Sequence, residues 1–227
     1  MKKSLIIGLV LIPLLLSAQN VQLHYDTGED RKHFTSTIEM FKPDEYGATF
    51  FFFDMDYNYP RGEKSADLAY LEFARYISLP FDKFSATVQY NGGLTALPSE
   101  ISLPLGPIWL GGLSYPLDLG FVTLNADVLY RTSRFSDAPD AQLTLTWTKK
   151  FLNDKLTFTG FFDIWSNDKI GEDGKKAVLL TEPQLWYKLT DHLSAGGEVE
   201  FSKNFPATVP TEDDFDIRPT LGLKWQF

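Results

Sequence analysis

The C-terminal stretch RPTLGLKWQF, residues 218–227, decides the fold class of this chain. Leu221, Leu223, Trp225 and Phe227 share one face of an extended segment, and polar or small residues share the other. This alternation predicts a β-strand, because successive side chains of a strand point to opposite sides. A strand patterned in this way separates an apolar environment from a polar one.

Similar alternation, bounded by turn residues, divides the rest of the chain into about twelve segments. They lie at 20–27, 32–41, 47–58, 67–79, 84–95, 107–117, 120–131, 140–151, 155–167, 176–190, 193–204 and 214–227. Most reach ten residues or more, which suits tilted membrane-crossing strands better than the short strands of soluble domains. The strands of a soluble β-sandwich also alternate in polarity, so the connections between segments are needed to distinguish a sandwich from a membrane barrel.

The connections alternate between short and long. The short ones follow the even segments, as at Asn153-Asp154 and Asp191-His192, and the longer, more charged ones follow the odd segments, as at 133–139 and 206–213. Bacterial outer-membrane barrels show this rule, with short periplasmic turns and longer extracellular loops. A Greek-key sandwich has no reason to follow it.

Composition and the placement of aromatic residues agree with a barrel. Aromatic residues make up 15% of the chain although its mean hydropathy is −0.16, as expected for a lipid-facing outside and a wet inside. Rings on the apolar faces lie near segment ends, where aromatic girdles flank the lipid band: Trp109, Tyr115, Tyr130, Trp147, Phe151, Tyr187, Trp225 and Phe227. We therefore predict an all-β fold, a transmembrane antiparallel β-barrel of about twelve strands in the outer membrane of a Gram-negative bacterium.

The N-terminus has the features of a secretory signal peptide. Lys2 and Lys3 precede an apolar run from Leu5 to Leu16, which is too short to span a bilayer, and Ser17-Ala18 provides small residues for cleavage. We predict a signal peptide at 1–18 and a single barrel domain at 19–227. The formal net charge of −9 gives the protein no electrostatic reason to bind nucleic acid.

Signals for catalysis, metals and cofactors are weak. The chain has no cysteine, so disulfides and thiolate metal sites are excluded, and its three histidines show no suggestive spacing to a serine nucleophile. The acidic runs Glu172-Asp173 and Glu212-Asp213-Asp214 could bind Ca²⁺ or bridge lipopolysaccharide, but their spacing fits solvated loops better. We predict no catalytic residue, no metal site and no cofactor.

Two resemblances refine this prediction. The last strand, ending in Phe227, resembles the terminal strand of outer-membrane proteins, which implies recognition of Phe227 by the barrel assembly machinery. The mature chain is similar to the Tsx-like nucleoside-specific channel family in the segments 36–41, 50–56, 70–75 and 79–84. That resemblance implies a monomeric barrel of twelve strands and nucleosides as cargo.

Alternation also assigns residues to the lumen, whose predicted wall is polar, net acidic and rich in rings. Rings can stack on a base, carboxylates and amides can bind ribose hydroxyls, and an acidic wall disfavours phosphorylated solutes. Alternatively, the rings fill a narrow barrel and the charges pair as a structural network. The substrate-binding candidates are Phe50, Phe52, Asp54, Asp56, Tyr70, Glu72, Phe161, Asp163, Trp165, Glu182, Trp186, Lys188 and Arg218.

The predicted function is passive uptake of small polar solutes, with nucleosides as leading candidates, through weak binding sites in the lumen. The expected partners are these solutes, outer-membrane lipids and lipopolysaccharide. Two alternatives remain open: a barrel enzyme acting on membrane lipid or peptide, and a closed structural or binding barrel. An inward Ser–His pair would favour the enzyme, and a lumen plugged by side chains would favour the closed barrel.

Overall fold

The computed structural model describes residues 19–28, 31–57, 66–96, 101–134, 136, 138–169, 173–205 and 215–227. The predicted signal peptide at 1–18 lies outside these ranges, as do Glu172 and the acidic run 212–214. Over the described residues, regular structure consists of β-strands, and we find no helix long and apolar enough to cross a membrane.

Thirteen strands follow one another along the described chain. They are β1 (Asn20–Asp26), β2 (Phe34–Asp44), β3 (Gly47–Tyr57), β4 (Ala66–Ser78), β5 (Ser85–Ala96), β6 (Ser102–Asp118), β7 (Thr123–Ser133), β8 (Asp140–Phe151), β9 (Leu156–Asp168), β10 (Lys175–Thr181), β11 (Gln184–Lys188), β12 (Leu193–Lys203) and β13 (Phe215–Gln226).

The strands form one closed antiparallel sheet. Neighbours in sequence pair along the sheet, and β13 pairs with both β12 and β1, so the ends of the sheet meet. The closing register sets Leu23 opposite Leu223. The backbone N–H of Phe227 donates to the carbonyl of Gln19 at 3.0 Å, which brings both ends of the barrel domain to the same rim. Closure removes unpaired sheet edges, as a membrane-spanning sheet requires.

Strands β10 and β11 are two halves of one membrane strand. Thr181 pairs with Phe162 and Gln184 pairs with Thr159, so the register against β9 continues across the interruption without a shift. The break falls at Pro183, which has no backbone N–H to donate to the ladder. The barrel therefore has twelve membrane strands, and the predicted architecture is confirmed.

Two predicted boundaries need correction. Residues 102–106, predicted to lie in a long loop, belong to β6, and Ser102 pairs with Ala96 to extend the β5–β6 hairpin. Strand β2 continues through Lys42 to Asp44, which we predicted as a turn, because the pairing with β3 extends to Gly47. The short and long connections otherwise alternate as expected, although the connection 79–84 is slightly longer than 97–101. We call the rim with the shorter connections the turn rim and the opposite rim the loop rim.

The outer surface of the barrel is apolar. Val128 and Leu221 each expose 67% of their surface, whereas the intervening inward residue Asp127 exposes 1%. The outward side chains also include most of the predicted girdle rings: Trp109, Tyr130, Phe151, Tyr187, Trp225 and Phe227. A continuous apolar exterior of this size would not remain in water, so the barrel lies in a membrane. The closed strand architecture is that of outer-membrane proteins, and the predicted localisation is confirmed.

Candidate functional site

The strand register places all thirteen predicted binding candidates on the inner face of the barrel. Partners across a ladder share a face, and Asp54 lies opposite Tyr70 while Glu72 lies opposite Phe52. On the other side of the barrel, Trp165 lies opposite the inward residue Gln142. Their binding of a solute remains a prediction, but their common orientation defines a candidate site.

Five carboxylates from separate parts of the wall interact electrostatically within this site. We call them the acidic belt: Asp54 (β3), Glu72 (β4), Asp163 (β9), Glu182 (between β10 and β11) and Glu198 (β12). Glu182 interacts electrostatically with Glu198, Asp54 and Glu72, and Glu72 also interacts with Asp163. The belt therefore concentrates negative charge from distant stretches of sequence in one region of the lumen.

Two cations partly balance the acidic belt. Arg131 interacts with Glu72 and Asp163, and Lys224 interacts with Glu198. The guanidinium of Arg131 also donates a hydrogen bond of 2.8 Å to Gln142. Among the described residues, these two cations are outnumbered by the five belt carboxylates, so the fixed charge of the belt is net negative when the carboxylates are ionised.

Hydrogen bonds from uncharged side chains hold the acidic groups in place. Glu72 accepts hydrogen bonds of 2.7 Å from both the Tyr70 hydroxyl and the Asn91 amide. Nearby, Asp127 accepts bonds from Tyr76 at 2.8 Å and Gln89 at 2.9 Å. These last bonds join β4 and β5 to β7, so they tie together parts of the wall that are not adjacent strands. The inner face is thus a cross-connected polar network, and such networks fix side-chain positions.

Trp186 is packed into the wall rather than standing free in the lumen. A Cβ atom placed on Gly196 would lie 2.9 Å from Cε3 of the indole, and one on Gly222 would lie 3.1 Å from Cη2. The glycines thus leave the room that the indole occupies. Lys224 Nζ lies 4.3 Å from the ring centroid, and the indole N–H donates to Gln184 at 2.9 Å. Only 3% of Trp186 is exposed, which leaves little surface for a solute to stack on.

Trp165 is also buried, with 6% of its surface exposed. The guanidinium carbon of Arg131 lies 4.9 Å from its ring centroid, and the edge-on ring of Phe205 lies at 6.0 Å. Unlike that of Trp186, its indole N–H has no hydrogen-bond partner within the described ranges. The same holds for Oδ1 of Asp163, two residues earlier on the same inward face.

The accessible rings lie on β3 and β4. Phe50 and Phe52 have their centroids 6.1 Å apart, and Phe52 lies 6.1 Å from Tyr70. All three are partly exposed, and we call them the aromatic track. The track ends beside Asp54 and Glu72, so it leads to the acidic belt. Phe161, on β9, is also partly exposed but makes no ring contact with the track in the described structure.

Three of the predicted candidates lie toward the rims. Lys188 ends β11 and forms an ion pair of 2.9 Å with Asp191 in the following turn, so it belongs to the turn rim. Toward the loop rim, Arg218 binds Glu200 at 3.1 Å, and Asp56 accepts a hydrogen bond of 2.6 Å from Thr35. Lys188 and Arg218 therefore lie outside the acidic belt. Asp56 lies at its edge, since it still interacts electrostatically with Asp54.

Sequence reasoning missed an apolar part of the lumen. Ala74, Leu110, Leu129 and Val178 occupy inward register positions and are almost completely buried. Leu129 shows the available signal, because it lies between the inward residues Asp127 and Arg131. Its apolar side chain indicates an outward position, whereas its place in the alternation indicates an inward one.

The histidines do not form a recognisable catalytic arrangement. His24 lies inside the barrel, where Nδ1 is 2.9 Å from the Thr220 hydroxyl and Nε2 is 3.0 Å from Gln22. His33 lies 3.6 Å from Asp56, and His192 stacks on Trp225 at the turn rim. In the described ranges, no group of three or more histidine or acidic side chains is arranged to hold a metal ion.

Fold and lumen together define an outer-membrane β-barrel with a polar, acidic inner face. The protein belongs to the family described as "Domain of unknown function (DUF5020)", whose model matches residues 18–227. No curated protein matches the chain at a significant level.

Similar solved structures are outer-membrane barrels. The NanC porin shares 13% identity, with 92% of this chain and 99% of that one covered and a TM-score of 0.56. The KdgM porin, solved in complex with disordered oligogalacturonate, shares 11% over 92% of this chain and 99% of that one, with a TM-score of 0.46. The translocator domain of the autotransporter NalP from Neisseria meningitidis shares 11%, with coverages of 92% and 86% and a TM-score of 0.43. At such identities, the NanC likeness supports the fold alone.

Proposed function

We propose that this protein is a passive channel for small polar solutes, with a preference for neutral or cationic ones. The observation that supports this most strongly is the acidic belt, which brings five carboxylates from separate strands to one region of the lumen. Fixed charge in a narrow lumen attracts ions of opposite sign and repels ions of the same sign. Anionic solutes, including phosphorylated ones, are therefore disfavoured.

Passage would combine several weak contacts. The aromatic track offers ring faces at one side of the lumen, and the belt carboxylates accept hydrogen bonds from hydroxyl or amino groups beside it. Binding must be strong enough to draw a solute in and weak enough to release it, which several adjacent modest sites achieve better than one tight site.

Nucleosides are the candidate cargo that uses both features. A base can stack on the partly exposed rings of Phe52 and Tyr70, while ribose hydroxyls face Asp54 or Glu72. The Tsx-like resemblance favours the same cargo. The two inward tryptophans are poor stacking platforms because Arg131 and Lys224 lie over their rings.

A closed structural barrel is the second candidate, and one specific observation favours it. Leu110 and Leu129 expose 2% of their surface, Trp186 exposes 3% and Val178 exposes none, although all four occupy inward positions. Apolar side chains packed this well inside a barrel reduce the space for a water-filled path.

Reconstitution of the refolded barrel separates the two candidates. An open channel should give unitary conductance in planar bilayers and let liposomes swell in ribose and nucleosides faster than in nucleotides of comparable size. A Phe52→Ala variant should lower nucleoside flux relative to ribose flux. Conductance no greater than that of protein-free bilayers would support the closed barrel, and equal swelling in nucleosides and nucleotides would contradict the charge preference.

A further inference from the structure

We infer that the Trp165 indole N–H and the Asp163 carboxylate form a hydrogen-bonding subsite for the hydroxyl groups of a neutral, sugar-like solute. This inference rests on the proposed channel function and names a recognition point within it. The two residues lie two positions apart on the inner face of β9, so their Cβ atoms are separated by about 7 Å.

The geometric basis is a complementary pair of unsatisfied atoms. The Trp165 N–H is a donor and Asp163 Oδ1 is an acceptor, and both atoms are buried with no hydrogen-bond partner among the described residues. Thr144 and Gln142 hydrogen-bond to the Asp163 carboxylate, so the open acceptor is the single oxygen Oδ1 and not the whole group. Almost every other inward tyrosine, amide or carboxylate described above has a partner, as shown by Trp186 with Gln184 and by Glu72 with Tyr70. Buried polar groups are normally paired, so a donor and an acceptor left open side by side indicate an external partner.

The chemistry of the pair selects a hydroxylated solute. A hydroxyl group accepts a hydrogen bond from an indole N–H and donates one to a carboxylate, and a polyol offers several at suitable spacing. Stacking at this point is disfavoured, because Arg131 lies over the indole and Phe205 packs against it. The subsite therefore recognises the sugar portion of a solute and not a base.

Local charge excludes anions from the subsite. Asp163 is itself a carboxylate, and Glu72 and Asp127 lie within electrostatic range of it. The nearby cation, Arg131, donates a hydrogen bond to Gln142 and interacts electrostatically with Asp163 and Glu72. A neutral polyol satisfies the open donor and acceptor without adding charge. A carboxylated or phosphorylated sugar would bring a further negative charge next to these carboxylates.

Ligand-observed saturation-transfer NMR on the refolded barrel in detergent, with ribose as the probe, tests the inference independently of conduction. Trp165→Phe removes the N–H and keeps an aromatic ring, and Asp163→Asn removes the charge. Trp147→Phe is the matched control, because the Trp147 N–H is also buried with no partner in the described part of the chain but its side chain faces outward. Heat-modifiable gel migration establishes that each variant is folded.

We expect ribose binding to weaken about 3- to 10-fold in Trp165→Phe and about 10-fold or more in Asp163→Asn, with no change in Trp147→Phe. Ribose 5-phosphate should bind more weakly than ribose to the wild type. If Trp165→Phe and Trp147→Phe bind ribose equally well, the Trp165 N–H and Asp163 contact only water. This result would overturn the inference. Intact ribose binding without bilayer conductance would instead contradict the channel and leave the subsite standing.

Discussion

Removing charge from the acidic belt should weaken the cation selectivity of the channel. The perturbation is the double variant Glu182→Gln, Glu198→Gln, which keeps side-chain size and hydrogen-bonding capacity. Both residues interact electrostatically with each other and with Asp54, so they contribute to one region of negative potential. Glu198 also accepts a hydrogen bond of 2.9 Å from Gln184, which a glutamine oxygen can still accept.

The magnitude follows from Coulomb's law. A monovalent cation passing about 6 Å from a carboxylate gains roughly 1 kcal/mol at an effective dielectric constant of about 50. This separation is shorter than the Debye length of about 10 Å at 0.1 M salt, so screening is incomplete. Two carboxylates therefore contribute about 2 kcal/mol, which corresponds to about 30-fold in cation occupancy. Lys224 beside Glu198 makes this an upper value.

Reversal potentials of planar bilayers under a KCl gradient measure the effect. We expect a cation-selective wild type and a double variant whose reversal potential moves toward zero. The matched control is Asp154→Asn, Asp191→Asn, which removes two carboxylates from exposed turns. Acidification should move the reversal potential of the wild type toward zero as well, because protonation removes carboxylate charge. A double variant that shifts no more than the control, or an anion-selective wild type, would refute the reasoning.

Other predictions test the membrane architecture. Leu221→Arg places a cation in the middle of an outward strand face, where it should lower the free energy of unfolding by about 2–4 kcal/mol. The inward substitution Lys224→Gln should lower it far less. Urea titration of both variants in lipid vesicles measures the difference. Phe227→Asp should reduce membrane insertion in cells more strongly than it reduces refolding in detergent, because recognition by the assembly machinery is lost. If insertion and refolding fall equally, the role of Phe227 is purely structural. A cysteine at Asn153 should be shielded from impermeant reagents in intact cells, whereas one at Asp173 should react; the opposite labelling would invert the topology.

The period-two pattern of the sequence determined much of this fold. Once alternation assigned Leu221 and Val128 to the outside, it also assigned Lys224 and Asp127 on the same strands to the inside, since a strand has only two faces. Short and long connections then fixed an antiparallel order in which neighbours in sequence pair. These inferences need no tertiary information, because the period and the connection lengths are properties of the chain itself.

The distances within the lumen came only from the tertiary structure. Alternation says that Glu182 and Asp54 both face inward, but the register of every intervening strand decides whether they meet. The burial of Trp165 and Trp186 could not be predicted either. It depends on Gly196, Gly222 and Arg131, which lie on other strands.

The lumen also shows where local pattern and tertiary packing diverge. Pro183 ends a strand by local rules, yet the ladders to β9 and β12 continue in register on both sides of it, because neighbouring strands hold the segment in place. The apolar side chain of Leu129 predicts an outward position, but its register position opposite Gly112 places it on the inner face. The sequence determined the face of each residue through the geometry of the strand, and closure of the barrel decided which inward side chains meet.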